Sequence, residues 1–338
     1  MRSPPAPRRP TAAVWNSRPG QAKAAHSACS CRISPPLQPR LPRLPTPAYR
    51  AASLPKGVSP VKLSTIRLGE DRTAVARLQK KHCVVLPYPD VGALIASGED
   101  WRERAAEQTG ERHRLDDISY APLISRPSKI VRVGPHYAAR VRETGISFPT
   151  VPVFSVRQGG QGVAGARDAI CLRAEGRNVD WGVELGLVIG CRTRGVTART
   201  ALRHVAGYTV VNGVAERSDS GSAPASGLST DVTLVGPAMV TTDDVPTGGR
   251  GLTMSCVIDG RVRQKANTSQ LIFDVATVIA HVSTVITLLP GDLITMGRPA
   301  GPGTGREPEV LLYPGVDMVT EIKGVGELRN SVVRSGSQ

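Results

Sequence analysis

The sequence predicts an α+β protein rich in β-structure, and three observations carry that prediction. Short apolar, β-branched runs recur from Val61 to Val333, separated by Gly, Pro and Asp-Gly turns. Only one long segment shows a clear helical period. The regular alternation of strands and helices that marks a doubly wound fold is missing.

Taken in order, VKLSTIRLG from Val61 opens the chain's first strand, and HCVVLPYPDVGALIASG (82–98) reads as strand, Pro-containing turn and short helix. WRERAAEQTGERHRL continues helical and charged, and residues 58–127 together form a small N-terminal α+β module. A larger β-rich domain is expected over 128–334. Its strands are KIVRVG, VDWGVELGLVIG (179–190), HVAGYTVVNGV (204–214), LVGPAMVT (234–241), LTMSCVIDGRVRQ (252–264), DLITMG (292–297) and DMVTEIKGVG (317–326). IDG (258–260) and IKG (322–324) supply reversals, because Asp-Gly and Lys-Gly tolerate positive φ. The one clear helix is SQLIFDVATVIAHVS (269–283), with Leu271, Val275, Val278, Ile279 and Val282 at helical spacing and Pro290 as its stop. His281 on that helix reads as structural. SDSGSAPASGLSTD (218–231) is low in complexity and reads as a loop.

The 338 residues carry 43 Lys and Arg against 28 Asp and Glu, a formal charge of +15. Twelve of those bases fall in residues 1–69, which hold no acid, so the rest of the chain has 43 − 12 = 31 bases against 28 acids, or +3. A folded body so nearly neutral makes no case for nucleic acid. Residues 1–57, dense in Pro, Ala, Ser and Arg, bury too little apolar area to offset chain entropy and read as a disordered basic tail. An acid-free N-terminus also leaves organelle import open. Cys29, Cys31 and His26 lack the second pair that would complete a metal tract. Cys83, Cys171, Cys191 and Cys256 sit among apolar residues, as free thiols of a reducing, cytoplasmic compartment do. The most apolar stretch, 275–289, is short for a bilayer span, so no membrane partner is expected. GPGTG (301–305) is not followed by the Lys-Ser or Lys-Thr of a phosphate loop, and neither G-x-S-x-G nor H-E-x-x-H occurs.

Several segments together resemble the fumarylacetoacetate hydrolase family. They are KIVRVGPHYAARVRETG (129–145), NVDWGVELGLVIG, VAGYTVVNGVAERSD, GPAMVTTDDVP, IDGRVRQKANTSQLIFDVATVIAHVSTVITLLPGDLITMGRPAGPG and GVGELRNSVV. Their order and spacing from about Val61 to Val333 carry the resemblance. It implies a mixed β-sandwich roll with a small N-terminal module, usually a homodimer, using Mg2+ or Mn2+ to hydrolyse, decarboxylate or isomerise a small anionic oxo- or diketo-acid substrate.

The resemblance also locates the departures. The family pattern has Glu at both 182 and 184 and an Asp after the Asn of the VVN strand; this chain has Gly182, Glu184 and Gly213. On a strand, residues two apart lie roughly 6.6 Å apart on one face and residues four apart about 13 Å. Carboxylates at 182 and 184 can therefore share an ion, whereas Asp180 and Glu184 cannot. Glu184 is the one metal ligand that remains, which makes the metal site degenerate. In GPHYAARVRE, His136 stands where Asn is usual and Arg140 replaces the histidine that would pair with Glu143; these three are the candidate catalytic residues. Val156 replaces a lysine, Leu228 is nearest to a second, and Met296 and Arg298 replace the threonines of a T-G-T-P turn. Glu216 and Asp219 read as solvated loop charges. Arg157, Arg217 and Arg298 are the candidate substrate-binding residues, since guanidinium groups bind carboxylates in two-point fashion without metal. Arg140, Arg157 and Arg298 are also the candidate partners for a buried Glu184. Three functions follow: an enzyme with a weakened metal shell, a metal-independent catalyst that holds its substrate with arginines, or a non-catalytic binding or oligomerising paralogue. Gly182→Glu with Gly213→Asp is expected to restore divalent-cation affinity.

Overall fold

Near-continuous apolar runs need cover on both faces of a strand, and in this chain the central strands are buried on both. The computed structural model describes residues 60–159, 162–172, 179–216, 231–301 and 310–335. All of them belong to the compact unit Tyr49–Gln338. The tail expected over 1–57, Arg217, Asp219 and most of the 218–231 loop fall outside the described residues.

Among the described residues the main sheet runs in the order Arg112–Arg114, His82–Leu86, Thr73–Leu78, Lys62–Arg67, Asp231–Thr241, Val205–Glu216, Val183–Ile189, Leu293–Thr295, Lys129–Val133, Phe154–Gln158. Most neighbours are antiparallel, but Leu293–Thr295 pairs parallel with Lys129–Val133, so the sheet is mixed. A second sheet orders Arg261–Asn267, Thr253–Ile258, Asp317–Ile322, Gly326–Arg334 and Ile170–Leu172. Its first hairpin turns at Asp259 and Gly260, both at positive φ, as the Asp-Gly pair predicts.

The main sheet is curled. Lys129–Val133 lies four strands from Asp231–Thr241, about 19 Å on a flat sheet. Yet Arg132 Nη2 lies 2.7 Å from Asp231 Oδ1. Its two faces have different partners. Val188, Val211, Val235, Leu293 and Ile130 point into the roll and pack with Leu63, Leu94 and Ile95. Leu185, Leu187, Val210 and Val131 point outward, against Met254, Cys256 and Met318 of the second sheet and Val278, Ile279 and Val282 of helix Val275–Val285. The architecture is the β-rich α+β fold expected from the sequence.

Two helix boundaries differ from expectation. The helix starting at Trp101 ends at Glu107, and Arg112–Arg114 becomes a strand paired with His82–Leu86. Gly110 lets the chain make this close approach, since a Cβ there would collide with the Val85 carbonyl. The apolar helix begins at Val275, not 269. Asn267 and Gln270 form a capping box around a single 3-10 turn, and Asp274 then caps the true helix by accepting from Thr277 N at 2.7 Å. Leu271 to Phe273 are spent as an extended bridge to His136 and Tyr137, which overrides their helical spacing.

Candidate functional site

Residue parity on the curled sheet decides which side chains meet. Glu184 lies opposite Val211 and shares the concave face with Gly213, two residues along. Trp181 and Gly182 interrupt strand pairing between Val179–Asp180 and Val183–Ile189, and two buried amides hold this break. Asn212 Oδ1 accepts from Gly182 N at 2.9 Å, and Gln264 Oε1 accepts from Val183 N at 2.9 Å. Gln264 Nε2 also donates to Pro299 O at 3.0 Å, tying the break to the segment that carries Arg298. Neither amide was identified from sequence. Their only signal was a polar residue at a position where alternation calls for an apolar one.

Arg298 then enters the space in front of Glu184. Its Nη1 lies 3.1 Å from Asp180 Oδ2, its Nε 3.5 Å from Glu184 Oε1, and its Nη2 donates to Gly213 O at 2.7 Å. Glu184 Oε2 accepts from Gly297 N at 3.1 Å. The Asp180 and Glu184 side chains are only 7% and 8% exposed, so an unpaired charge on either would be costly; the guanidinium offsets it. The break at Trp181 and Gly182 separates the strands that carry the two carboxylates, and the fork of one arginine meets both.

The two glycines belong to this arrangement. A Cβ at 182 would lie 2.7 Å from Arg298 Cδ and 3.0 Å from its Cγ. A Cβ at 213 would lie 2.8 Å from Arg298 Nη2 and 3.1 Å from Glu184 Oε1. The space beside the two glycines is filled by one arginine, its methylenes over Gly182 and its guanidinium over Gly213. A divalent cation therefore does not fit beside Glu184 with Arg298 in place. Among the described residues, no three His, Cys, Asp or Glu side chains group as a metal site.

The other candidates divide. Arg140 and Glu143 lie one turn apart on helix Ala138–Thr144 and pair at 2.6 Å, while Gly301 N donates to Glu143 Oε1 at 3.1 Å. His136 is fully buried. Its Nδ1 donates to Met296 O at 2.9 Å and its Nε2 accepts from Phe273 N at 3.1 Å, which fixes one neutral tautomer. Both nitrogens are spent on backbone, so His136 braces the Gly297–Arg298 turn and has no free lone pair for proton transfer. Burial pushes the neighbouring Tyr137 hydroxyl up, and the Glu184 charge adds to that. Arg157 joins a separate cluster, with Nη1 3.2 Å from Asp231 Oδ1 beside Arg132.

Burial pushes the His136 pKa down to about 4, below the 6.5 of an unperturbed imidazole. As pH falls, the unfolded chain takes up this proton first. Stability should be full above pH 6.5, decline toward pH 4 and level below, by about 3 kcal/mol in all. Urea denaturation at pH 7.5 and 4.5 checks this: His136→Asn should be less stable at the higher pH yet lose less between the two.

With fold and site described, the class is defined. Residues 129–333 match the fumarylacetoacetate (FAA) hydrolase C-terminal family model, and the chain belongs to that family, whose members generally use a divalent metal. Mitochondrial oxaloacetate tautomerases are among its relatives: one from Bos taurus is 36% identical over 222 residues, 64% of this chain and 70% of that protein. A Homo sapiens counterpart is 34% identical over the same shares. Among solved structures, a putative HpcE protein from Mycobacterium smegmatis is 29% identical with a TM-score of 0.71, covering 81% of this chain and 99% of its own. A 2-hydroxyhepta-2,4-diene-1,7-dioate isomerase from Mycobacterium marinum is 30% identical with a TM-score of 0.65, covering 82% and 100%.

Proposed function

We propose that this protein isomerises small oxo acids by metal-independent proton transfer, with Arg298 fixed where the family would place a cation. One observation carries the reading: a guanidinium, held by Asp180, Glu184 and the Gly213 carbonyl, occupies the ground of the missing ligands. The names of the relatives support an oxo-acid substrate, and keto–enol exchange asks less of the site than C–C hydrolysis, which needs an activated water.

In the step proposed, the Glu184 carboxylate takes a proton from the carbon beside the oxo group. The C–H electron pair becomes the new C=C bond as the C=O π pair moves onto oxygen. Arginine carries five N–H groups, and three are engaged among the described residues, leaving two for that developing oxyanion. Glu184 then returns that proton to the oxygen, which completes the isomerisation and restores the carboxylate with no change of oxidation state.

The test is the enol absorbance of oxaloacetate followed in chelator. Acceleration should persist within two-fold in EDTA and fall at least 100-fold in Arg298→Lys, which keeps the charge but loses the fork. Activity that vanishes in EDTA and returns with Mn2+ would refute the reading. A second reading, a non-catalytic binding protein, is favoured by the pairing of both Glu143 and Glu184. It predicts no acceleration with wild-type protein, yet thermal stabilisation by an oxo acid.

A further inference from the structure

A second charged cluster faces the same interior. Arg132 Nη2 and Nη1 lie 2.7 and 3.2 Å from the two oxygens of Asp231, and Nη2 also donates to Thr233 Oγ1 at 3.1 Å. Arg157 Nη1 is 3.2 Å from Asp231 Oδ1 but is not aligned for a hydrogen bond; it is a buried donor without an acceptor among the described residues. Among the described residues, two guanidinium groups against one carboxylate leave one positive charge in a place where the side chains are only 25–30% exposed. An excess cation half out of water is costly unless an anion joins it.

A second orphan lies beside it. Thr295 is 1% exposed, and its Oγ1 has no hydrogen-bond partner among the described residues. Strand pairing sets Thr295 between Gly186 and Arg132, so its side chain shares the concave face with Arg132 and with Glu184. Glu184 is two residues from Gly186, which places Thr295 one strand and two residues from it, about 8 Å between Cα atoms. A three- to five-carbon oxo acid spans that interval.

Electrostatics set the orientation. Among the described residues, two guanidinium groups face one carboxylate at Arg132 and Arg157, which attracts a substrate carboxylate to that end of the face. We propose that Arg132, Arg157 and Thr295 anchor the substrate's carboxylate, and so present its oxo carbon to Glu184 and Arg298. The identity of the anchored acid rests on the oxo-acid reading above; the anchor itself does not.

The experiment therefore uses oxamate, a monocarboxylate with no enolisable carbon, titrated calorimetrically into the full chain. Arg157→Gln should weaken oxamate at least ten-fold, and Thr295→Val three- to ten-fold. Asp231→Asn removes the competing carboxylate and should tighten oxamate several-fold, a sign that a folding defect cannot produce. No oxamate binding, or equal binding by wild type and Arg157→Gln, overturns the anchor. Oxamate binding sensitive to Arg157→Gln without oxaloacetate turnover keeps the anchor and rejects the catalytic reading. Turnover whose KM ignores Arg157→Gln does the reverse.

Discussion

Replacing Arg298 with methionine is expected to cost about 3–5 kcal/mol, because removing one partner of a buried ion pair leaves uncompensated charge behind. Here it would leave the Glu184 carboxylate, under a tenth exposed, without its guanidinium, and would take one partner from Asp180. Methionine keeps most of the aliphatic packing that Arg298 Cβ, Cγ and Cδ make over Gly182, so the loss reports mainly on charge. The prediction has an internal control. Adding Glu184→Gln to Arg298→Met removes the stranded Glu184 charge and should recover more than half of the loss. Chemical denaturation of the three proteins measures this. A single variant as stable as wild type would mean that the guanidinium is not what compensates these carboxylates.

The second large effect concerns metal. While Arg298 stays in place, Gly182→Glu with Gly213→Asp is expected to fall short of the cation site that the sequence alone suggests. With Arg298 present, both new side chains start in contact with it, and their charges would pair with the guanidinium. Adding Arg298→Thr clears that volume and leaves three carboxylates converging at one point, the ligand set that a hard divalent ion takes up. The triple variant should bind Mn2+ at least 100-fold more tightly than the Gly182→Glu, Gly213→Asp double variant, read by calorimetry. Equal affinities would show that Arg298 does not fill the cation's place.

Much of this arrangement was legible in the chain. The short apolar runs between turn residues marked the strands; Glu184 stood out as the ligand that remains, and Arg298 and the pair of glycines as departures at the positions where chemistry is expected. Arg298 was correctly named as a possible partner of Glu184. Asp180 was set aside because two positions about 13 Å apart cannot share an ion; that distance assumes one continuous strand, whereas the chain breaks at Trp181 and Gly182 and one guanidinium meets both carboxylates. The Arg132 cluster was missed because Arg132 lies in KIVRVG, a run that reads as plain strand, while its partner Asp231 is 99 residues away. Only the curl of the sheet joins them, and curl is not written in local alternation. The late start of the apolar helix has the same origin. Leu271, Val275 and Val278 fit a helical stripe, but the His136 ring and carbonyl claim the backbone N–H groups of Phe273 and Ile272. His136 itself, read as a catalytic candidate from its place in a motif, is held at both nitrogens by tertiary contacts that no motif encodes.

The most direct measurement is a calorimetric titration of Mn2+ into the full chain, with and without oxalate as a chelating stand-in for an oxo acid. With the Arg298 guanidinium in the cation's place, neither titration should give heat of binding up to millimolar Mn2+. Mn2+ binding that appears or tightens with oxalate, and disappears in Glu184→Gln, would contradict the account and return Glu184 to the role of metal ligand.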